Sequence, residues 1–86
     1  MGQGGIIDVP TLLQIGPYRM FFYAGDRKEP LHVHVERDDR VAKFWLDPVR
    51  LASSGGFSRV ELGRIHALVA EHRDALTEKW HDYFGE

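Results

Sequence analysis

The sequence predicts an α+β domain in which an antiparallel sheet is packed on one face by a helix. Its first half contains β-prone segments separated by turn signals. After residue 57 the spacing of the apolar residues changes to that of a helix. A chain of 86 residues has the size of one domain. We therefore expect four strands in two hairpins, mainly antiparallel, and a single long C-terminal helix.

The four strands are predicted from apolar runs and the turns between them. Gly16-Pro17 separates the first two runs, a gap typical of a hairpin. The charged turn RDDR joins LHVHVE to VAKFWL in the second hairpin. Asp47-Pro48 ends the fourth strand, because proline cannot donate a ladder hydrogen bond. The predicted strands are residues 11–15, 18–23, 31–36 and 41–46.

The helix is predicted from its cap and its apolar stripe. Ser58 followed by Glu61 has the spacing of a capping box, in which each side chain bonds the backbone of the other residue. At about 100° per residue, the later apolar residues share one face. These residues are Leu62, Ile65, Val69, Leu76, Trp80 and Tyr83.

The domain boundaries are simple. Residues 1–10 hold three glycines and one proline and are predicted to be a flexible lead-in, while residues 11–86 form the single domain. No run approaches the roughly 18–20 apolar residues of a membrane span, and the N-terminus lacks a signal-peptide core. We expect a cytoplasmic protein with no membrane association.

Composition excludes several classes of protein. With 43% hydrophobic and 28% charged residues, the chain is neither disordered nor of low complexity. It has no cysteine, which excludes disulfides, thiolate metal sites and cysteine nucleophiles. The net charge of −2 does not indicate a nucleic-acid partner, although protonation of all five histidines would change it to +3.

The second hairpin separates two kinds of side chain by the two-residue period of a strand. Val33 and Val35 point to one face, where the hairpin register places them opposite Phe44 and Ala42. That apolar face is the predicted floor for the helix. The opposite face groups His32, His34, Glu36, Val41, Lys43 and Trp45.

Because only one helix is predicted, this second face is expected to stay open. A tryptophan beside charged groups is typical of recognition surfaces. The predicted binding surface consists of His32, His34, Glu36, Lys43 and Trp45. The alternative is that this is only the solvated side of an antiparallel sheet.

His-x-His on a strand also places two imidazoles on one side, about 6.6–6.8 Å apart along the backbone. A zinc site normally needs a third protein ligand, and Glu36 and Asp26 are the nearest candidates. Two histidines alone are a weak metal signal. We therefore expect no cofactor and leave a divalent metal such as zinc, held by His32 and His34, as an alternative.

The remaining histidines show no metal-binding spacing. His72 lies near the apolar stripe and is expected to be partly buried, His81 points to solvent, and His66 lies on the shoulder of the helix. Trp80 is expected in the core. The sequence contains none of the phosphate-loop, dinucleotide-binding or nucleophile-elbow motifs.

Three segments, GDRKEPLHVHVERD, AKFWLDPVRLASSGGFS and LVAEHRDALTEKW-x-x-YFG, resemble the small bacterial proteins of the family called domain of unknown function 4160. The similarity covers about residues 18–85 and is most specific at Pro-x-His-x-His-Val, here residues 30–35. The chain carries Leu31 in place of a second proline, and Arg27 or Lys28 where many members have a histidine. These departures argue against a three-histidine metal set.

The resemblance implies a compact bacterial protein that associates with a partner, since members resemble components of toxin–antitoxin-like gene pairs. We therefore expect a binding module whose partner is a small protein from a neighbouring gene. The alternative is a small metal- or histidine-dependent nuclease or hydrolase. In that enzyme, His32 and His34 would act as acid and base and Lys43 would stabilise phosphate charge.

Overall fold

A computed structural model describes residues 11–85, so the predicted lead-in at residues 1–10 lies outside the described residues. The described chain forms one five-stranded antiparallel sheet in the order β1-β2-β3-β4-β5, followed by two helices. A 3₁₀ helix, Ala24–Lys28, connects β2 to β3. The strands are β1 Leu13–Ile15, β2 Tyr18–Phe21, β3 His32–Arg37, β4 Arg40–Leu46 and β5 Val49–Ser53. The helices are α1 Arg59–Glu71 and α2 Arg73–Phe84.

The α+β class and the antiparallel sheet are confirmed, but the number of strands is not. The prediction missed β5, which pairs with β4 through Val49 opposite Leu46 and Leu51 opposite Phe44. Asp47-Pro48 does end β4. The proline falls in the turn, where no ladder hydrogen bond is required, so the next residues return along the sheet as a strand.

The single long helix is also wrong, because the chain leaves helical geometry at His72. There the backbone has φ −105° and ψ 13°, and the ring Nδ1 bonds the carbonyl oxygen of Leu68 at 2.9 Å. A side chain that bonds a nearby carbonyl competes with the regular helical pattern. The stripe of apolar residues continues across this break, which is why the sequence period did not reveal it.

The predicted N-cap is half confirmed. Ser58 Oγ accepts the backbone N–H of Glu61 at 3.1 Å and caps α1. The Glu61 carboxylate is turned to the sheet instead, where it accepts from Arg37 Nε at 2.5 Å and from the hydroxyl of Tyr18 at 2.9 Å. Glu61 therefore ties the first turn of α1 to strands β2 and β3.

The core lies between the helices and one face of the sheet, as predicted. Val33 pairs with Phe44 and Val35 with Ala42, which confirms the predicted register. Against this face pack the buried helical residues Ile65, Val69, Leu76 and Trp80. The chain enters α1 through Gly55, where φ is +61° and a Cβ atom would lie 1.9 Å from the carbonyl oxygen of Val41. Only glycine, which has no Cβ atom, allows the two backbone segments to approach this closely.

Within residues 11–85, neither helix combines the length and the apolar character that crossing a membrane requires.

Candidate metal centre

The 3₁₀ helix between β2 and β3 covers the histidine end of the second sheet face. It places the Asp26 side chain against that face, where the residue is only 8% exposed. The backbone N–H of Tyr23 donates to Asp26 Oδ2 at 2.8 Å and so fixes the carboxylate. This short element therefore delivers an oriented anionic oxygen to the polar face of the sheet.

Three ligand-type atoms converge at this point. Asp26 Oδ2 lies 3.1 Å from His32 Nε2 and 3.0 Å from His34 Nε2. Among residues 11–85, these three atoms form the one group of three or more metal-type ligands, and all lie within 4.8 Å of one another. The His-x-His pair is thus completed by Asp26, one of the two residues considered from the sequence.

His32 is held in a specific tautomer. Its Nδ1 lies 2.7 Å from the carbonyl oxygen of Pro30, and a carbonyl can only accept, so Nδ1 carries the hydrogen. The ring is completely buried, and its Nε2 has no hydrogen-bond partner within the described chain. In the neutral ring, the lone pair on Nε2 therefore faces the Asp26 carboxylate, an arrangement that a cation between the two atoms would stabilise.

His34 is partly buried among aromatic rings. It stacks on Phe21 at 5.4 Å between ring centroids, and the Tyr23 ring lies 4.7 Å away. Burial lowers the pKa of His34, although the Asp26 carboxylate acts in the opposite direction. A lowered pKa favours the neutral imidazole, which is the form that binds metals.

A charged pair borders the cluster. Lys43, opposite His34 in the sheet, donates from Nζ to the carboxylate of Glu29. This hydrogen bond lowers the pKa of Glu29, so its carboxylate is ionised. The Lys43 Nζ also lies 4.6 Å from the centre of the Trp45 ring. Both charges are therefore at the rim of the Asp26–His32–His34 cluster, outside the group of ligand atoms.

The structure corrects the predicted open surface. His32 is 0% exposed, so the expectation that it lies on an open face is wrong. It is enclosed because the 3₁₀ helix brings Asp26 over it and because Trp45 and Trp80 approach its ring at 5.7 and 5.2 Å. His34 is also largely covered, with 12% of its side chain exposed.

The other predicted surface residues share the same sheet face. Glu36, Lys43 and Trp45 are half-buried. Glu36 forms an ion pair with Arg19 at 2.6 Å, so this second candidate for a third metal ligand is engaged elsewhere. Trp45 is opposite His32 in the register, as predicted.

Sequence reasoning missed the element that builds the site. Residues 24–30 have the glycine and proline of a loop, and nothing in their pattern indicates a 3₁₀ helix that turns Asp26 inward. The available signal was chemical, since Asp26 and Glu29 are the two acidic residues of the loop before the histidines, and the sequence does not show which of them turns inward. The role of the Pro30 carbonyl depends on backbone geometry and has no sequence signal.

Residues 18–81 match the family described as domain of unknown function (DUF4160). This match spans well over half of the chain. The protein belongs to the DUF4160 family. The matched DUF4160 region contains the complete cluster, namely Asp26, His32 and His34. Comparison with curated proteins and with solved structures gave no match.

Proposed function

We propose that this domain binds one divalent transition-metal ion, with zinc the best chemical fit, through Asp26, His32 and His34, and that it is a metal-dependent hydrolase. One observation carries the proposal. The Nε2 atom of the fully buried His32 makes no well-aligned hydrogen bond in the described chain, although the Asp26 carboxylate lies 3.1 Å from it. When the ring is neutral, a bound cation would give this atom a bond and reduce the repulsion between its lone pair and the carboxylate.

The donor set favours zinc or a similar ion over magnesium or calcium. Two imidazole nitrogens and one carboxylate oxygen suit first-row transition metals, whereas the harder cations prefer oxygen ligands alone. Zinc–ligand bonds of about 2.0–2.2 Å in a tetrahedral site separate the ligand atoms by roughly 3.3 Å. The two oxygen–nitrogen separations of 3.0 and 3.1 Å are close to this value, and all three ligand atoms lie within 4.8 Å of one another, so the two imidazole nitrogens would move closer together around the ion.

The surroundings provide the support that metal ligands usually have. Metal-bound histidines commonly donate their second ring nitrogen to a carbonyl or carboxylate, which orients the ring. The contact of His32 Nδ1 with the Pro30 carbonyl has this form, and the N–H of Tyr23 orients Asp26 in the same way. The ligands are thus positioned before any ion arrives.

Three protein ligands leave a fourth position for water, the usual arrangement of catalytic zinc. When bound, zinc would supply a water with its pKa lowered to about 7, and so a nucleophile at neutral pH. Asp26 and His34 keep 10% and 12% of their side chains exposed, which supports access from solvent on their side. Lys43 at the rim is paired with Glu29 and would exchange this partner to meet an anionic substrate.

The experiment is a metal titration of tag-free protein. After chelation and dialysis, zinc is added in competition with a chromophoric chelator, and bound metal is quantified by mass spectrometry. We expect about one zinc ion per chain. His34→Ala and Asp26→Asn should abolish this binding. Hydrolysis of a chromogenic phosphodiester is then compared between zinc-loaded and zinc-free protein.

His81→Ala is the matched control, because it removes an exposed histidine of α2 far along the chain from the cluster. It should bind zinc as the wild type does. A folded wild-type protein that binds no zinc at micromolar concentrations would contradict the metal site. Stoichiometric binding without zinc-dependent hydrolysis would retain the site and reject the hydrolase.

A second candidate function is the partner-binding module of a toxin–antitoxin-like pair. It is favoured by β5, which forms one edge of the sheet and has four exposed residues out of five. Leu51 in this strand is 41% exposed. An edge strand can extend its hydrogen-bond ladder to a strand of another protein.

The test is co-purification with the product of the neighbouring gene. Leu51→Lys places a charge on the edge strand, a common means of blocking edge pairing. We expect it to reduce recovery of that product, while Arg64→Ala on the exposed side of α1 leaves recovery unchanged. Equal recovery with both variants would argue against the β5 edge as the interface.

A further inference from the structure

A second concave site lies next to the metal cluster. Five residues line a pocket of about 430 Å³: Pro30, Leu31, Trp45, Asp47 and Arg50. This volume is within the range of about 300–1,000 Å³ that is usual for small-molecule sites. The pocket contains none of the three cluster residues, although two of its lining residues, Pro30 and Trp45, contact His32.

The pairing of β4 and β5 builds the wall of this pocket. Trp45 is directly opposite Arg50 in the register, so both side chains project from the same face of the sheet. The indole is half-buried, and the Arg50 side chain is exposed. A flat aromatic surface and a guanidinium group are therefore presented side by side.

The charges of the pocket favour an anion. Asp47 forms an ion pair with Arg73 at 3.2 Å, which partly offsets its negative charge, since Arg73 also pairs with Asp74 at 3.0 Å. Arg50 has no ion pair or hydrogen bond with any residue between 11 and 85. Its guanidinium group is thus an uncompensated, bidentate donor, the geometry that suits phosphate oxygens.

We propose that this pocket binds a mononucleotide, with its base stacked on the indole of Trp45 and its phosphate bonded to Arg50. Stacking on an aromatic side chain is tolerant of base identity because every base has a π-face. The apolar side chains of Pro30 and Leu31 complete the lining around the indole. A single-stranded RNA offers the same bases and phosphates as a mononucleotide. The net charge of −2 on the protein disfavours such a long polyanion, so we favour the mononucleotide.

The test uses adenosine monophosphate as the probe and the indole N–H resonance of Trp45 as the readout. The nucleotide should shift this resonance in a saturable manner. Arg50→Ala should lower the affinity for adenosine monophosphate by about tenfold or more, because it removes charge-assisted hydrogen bonds to the phosphate. The affinity for adenosine, which has no phosphate, should be unchanged in this variant.

Three further variants keep the test independent of folding. Arg64→Ala removes an exposed arginine of α1 that does not line the pocket and should leave affinity unchanged. Trp45→Phe retains an aromatic face and should bind adenosine monophosphate more tightly than Trp45→Leu; calorimetric titration measures both affinities, because these variants lack the indole resonance. No shift of the indole resonance at millimolar nucleotide would overturn the proposal, as would equal affinities for Arg50→Ala and the wild type. A single-stranded oligoadenylate that binds more than about tenfold tighter than the mononucleotide would overturn it in favour of RNA.

Discussion

The two faces of the sheet contrast most clearly along β4, where adjacent residues point in opposite directions. Ala42, Phe44 and Leu46 face the helices and are at most 1% exposed. Lys43 and Trp45 face the other side and are half-buried around the histidine cluster. The first face is closed by the general burial of apolar surface, while the second is closed locally by a short 3₁₀ helix carrying one carboxylate and by the ring of Trp80 from α2.

This difference separates stability from chemistry. Apolar side chains on the helix face satisfy one another by packing, and the one buried side-chain atom of the described helices without a hydrogen-bond partner is the Thr77 hydroxyl oxygen. On the other face, closure buries polar groups and leaves the Nε2 of His32 without a hydrogen-bond partner among the described residues. A natural fold rarely retains such an atom without a reason. We therefore place stability on the helix face and the candidate chemistry on the cluster face.

The largest expected effect comes from breaking the helix face. Phe44→Ala should lower the free energy of unfolding by about 3–5 kcal/mol, because it removes buried apolar surface and leaves a cavity. Trp45→Ala, one residue later on the half-buried face, is the matched comparison and should cost less. Urea denaturation followed by circular dichroism measures both. A greater loss with Trp45→Ala would reverse the assignment of the two faces.

A smaller effect should appear on the cluster face when metal is added. If zinc binds the native state alone, a concentration of 100 times its dissociation constant raises the free energy of unfolding by about 2.7 kcal/mol. Thermal unfolding with zinc and with chelator measures this gain. Asp26→Asn preserves the shape of the side chain and should show almost no gain. Equal stabilisation of the variant would mean that zinc acts elsewhere.

The link between α1 and the sheet should depend on pH. Hydrogen bonds from Arg37 and from Tyr18 lower the pKa of Glu61. As pH falls, the Glu61 carboxyl is therefore protonated in the unfolded state before it is protonated in the folded state. Its ionised form stabilises the folded state fully above the unfolded pKa, and this stabilisation is lost as pH falls through the folded pKa. We expect the free energy of unfolding of the wild type to exceed that of Glu61→Gln near neutral pH. The difference between the two should disappear in acid. A gap that does not change between about pH 7 and about pH 2 would contradict this linkage.

The smallest effect is a gain on the exposed side of α1. A Cβ atom at Gly63 would meet nothing within 4 Å, so Gly63→Ala should raise the free energy of unfolding by about 0.5–1 kcal/mol. Urea denaturation would detect this increase. A loss of stability would show that the added methyl group clashes with a neighbouring atom, contrary to the open space around Gly63.

Much of the fold followed from local patterns in the sequence. The two-residue period of the second hairpin predicted its register, including Val33 opposite Phe44, because a slip by one residue would expose the apolar side chains. Ser58 was predicted as the N-cap for a similarly local reason, a hydroxyl that satisfies a free N–H. The errors at β5 and at His72 have longer-range causes. Whether residues 49–53 form a strand depends on the free edge of β4, and the break at His72 falls within an uninterrupted apolar stripe.

The sequence by itself determined which face of the sheet is apolar and that His32 and His34 lie together on the other, because strand geometry alternates side chains regardless of distant contacts. Only the tertiary structure decided that this second face is covered at its histidine end. The covering segment carries no periodic signal, and its position depends on how the connection between β2 and β3 packs across the sheet. That packing brings Asp26 to within 3.1 Å of both imidazoles and converts a strand pattern into a possible ligand set.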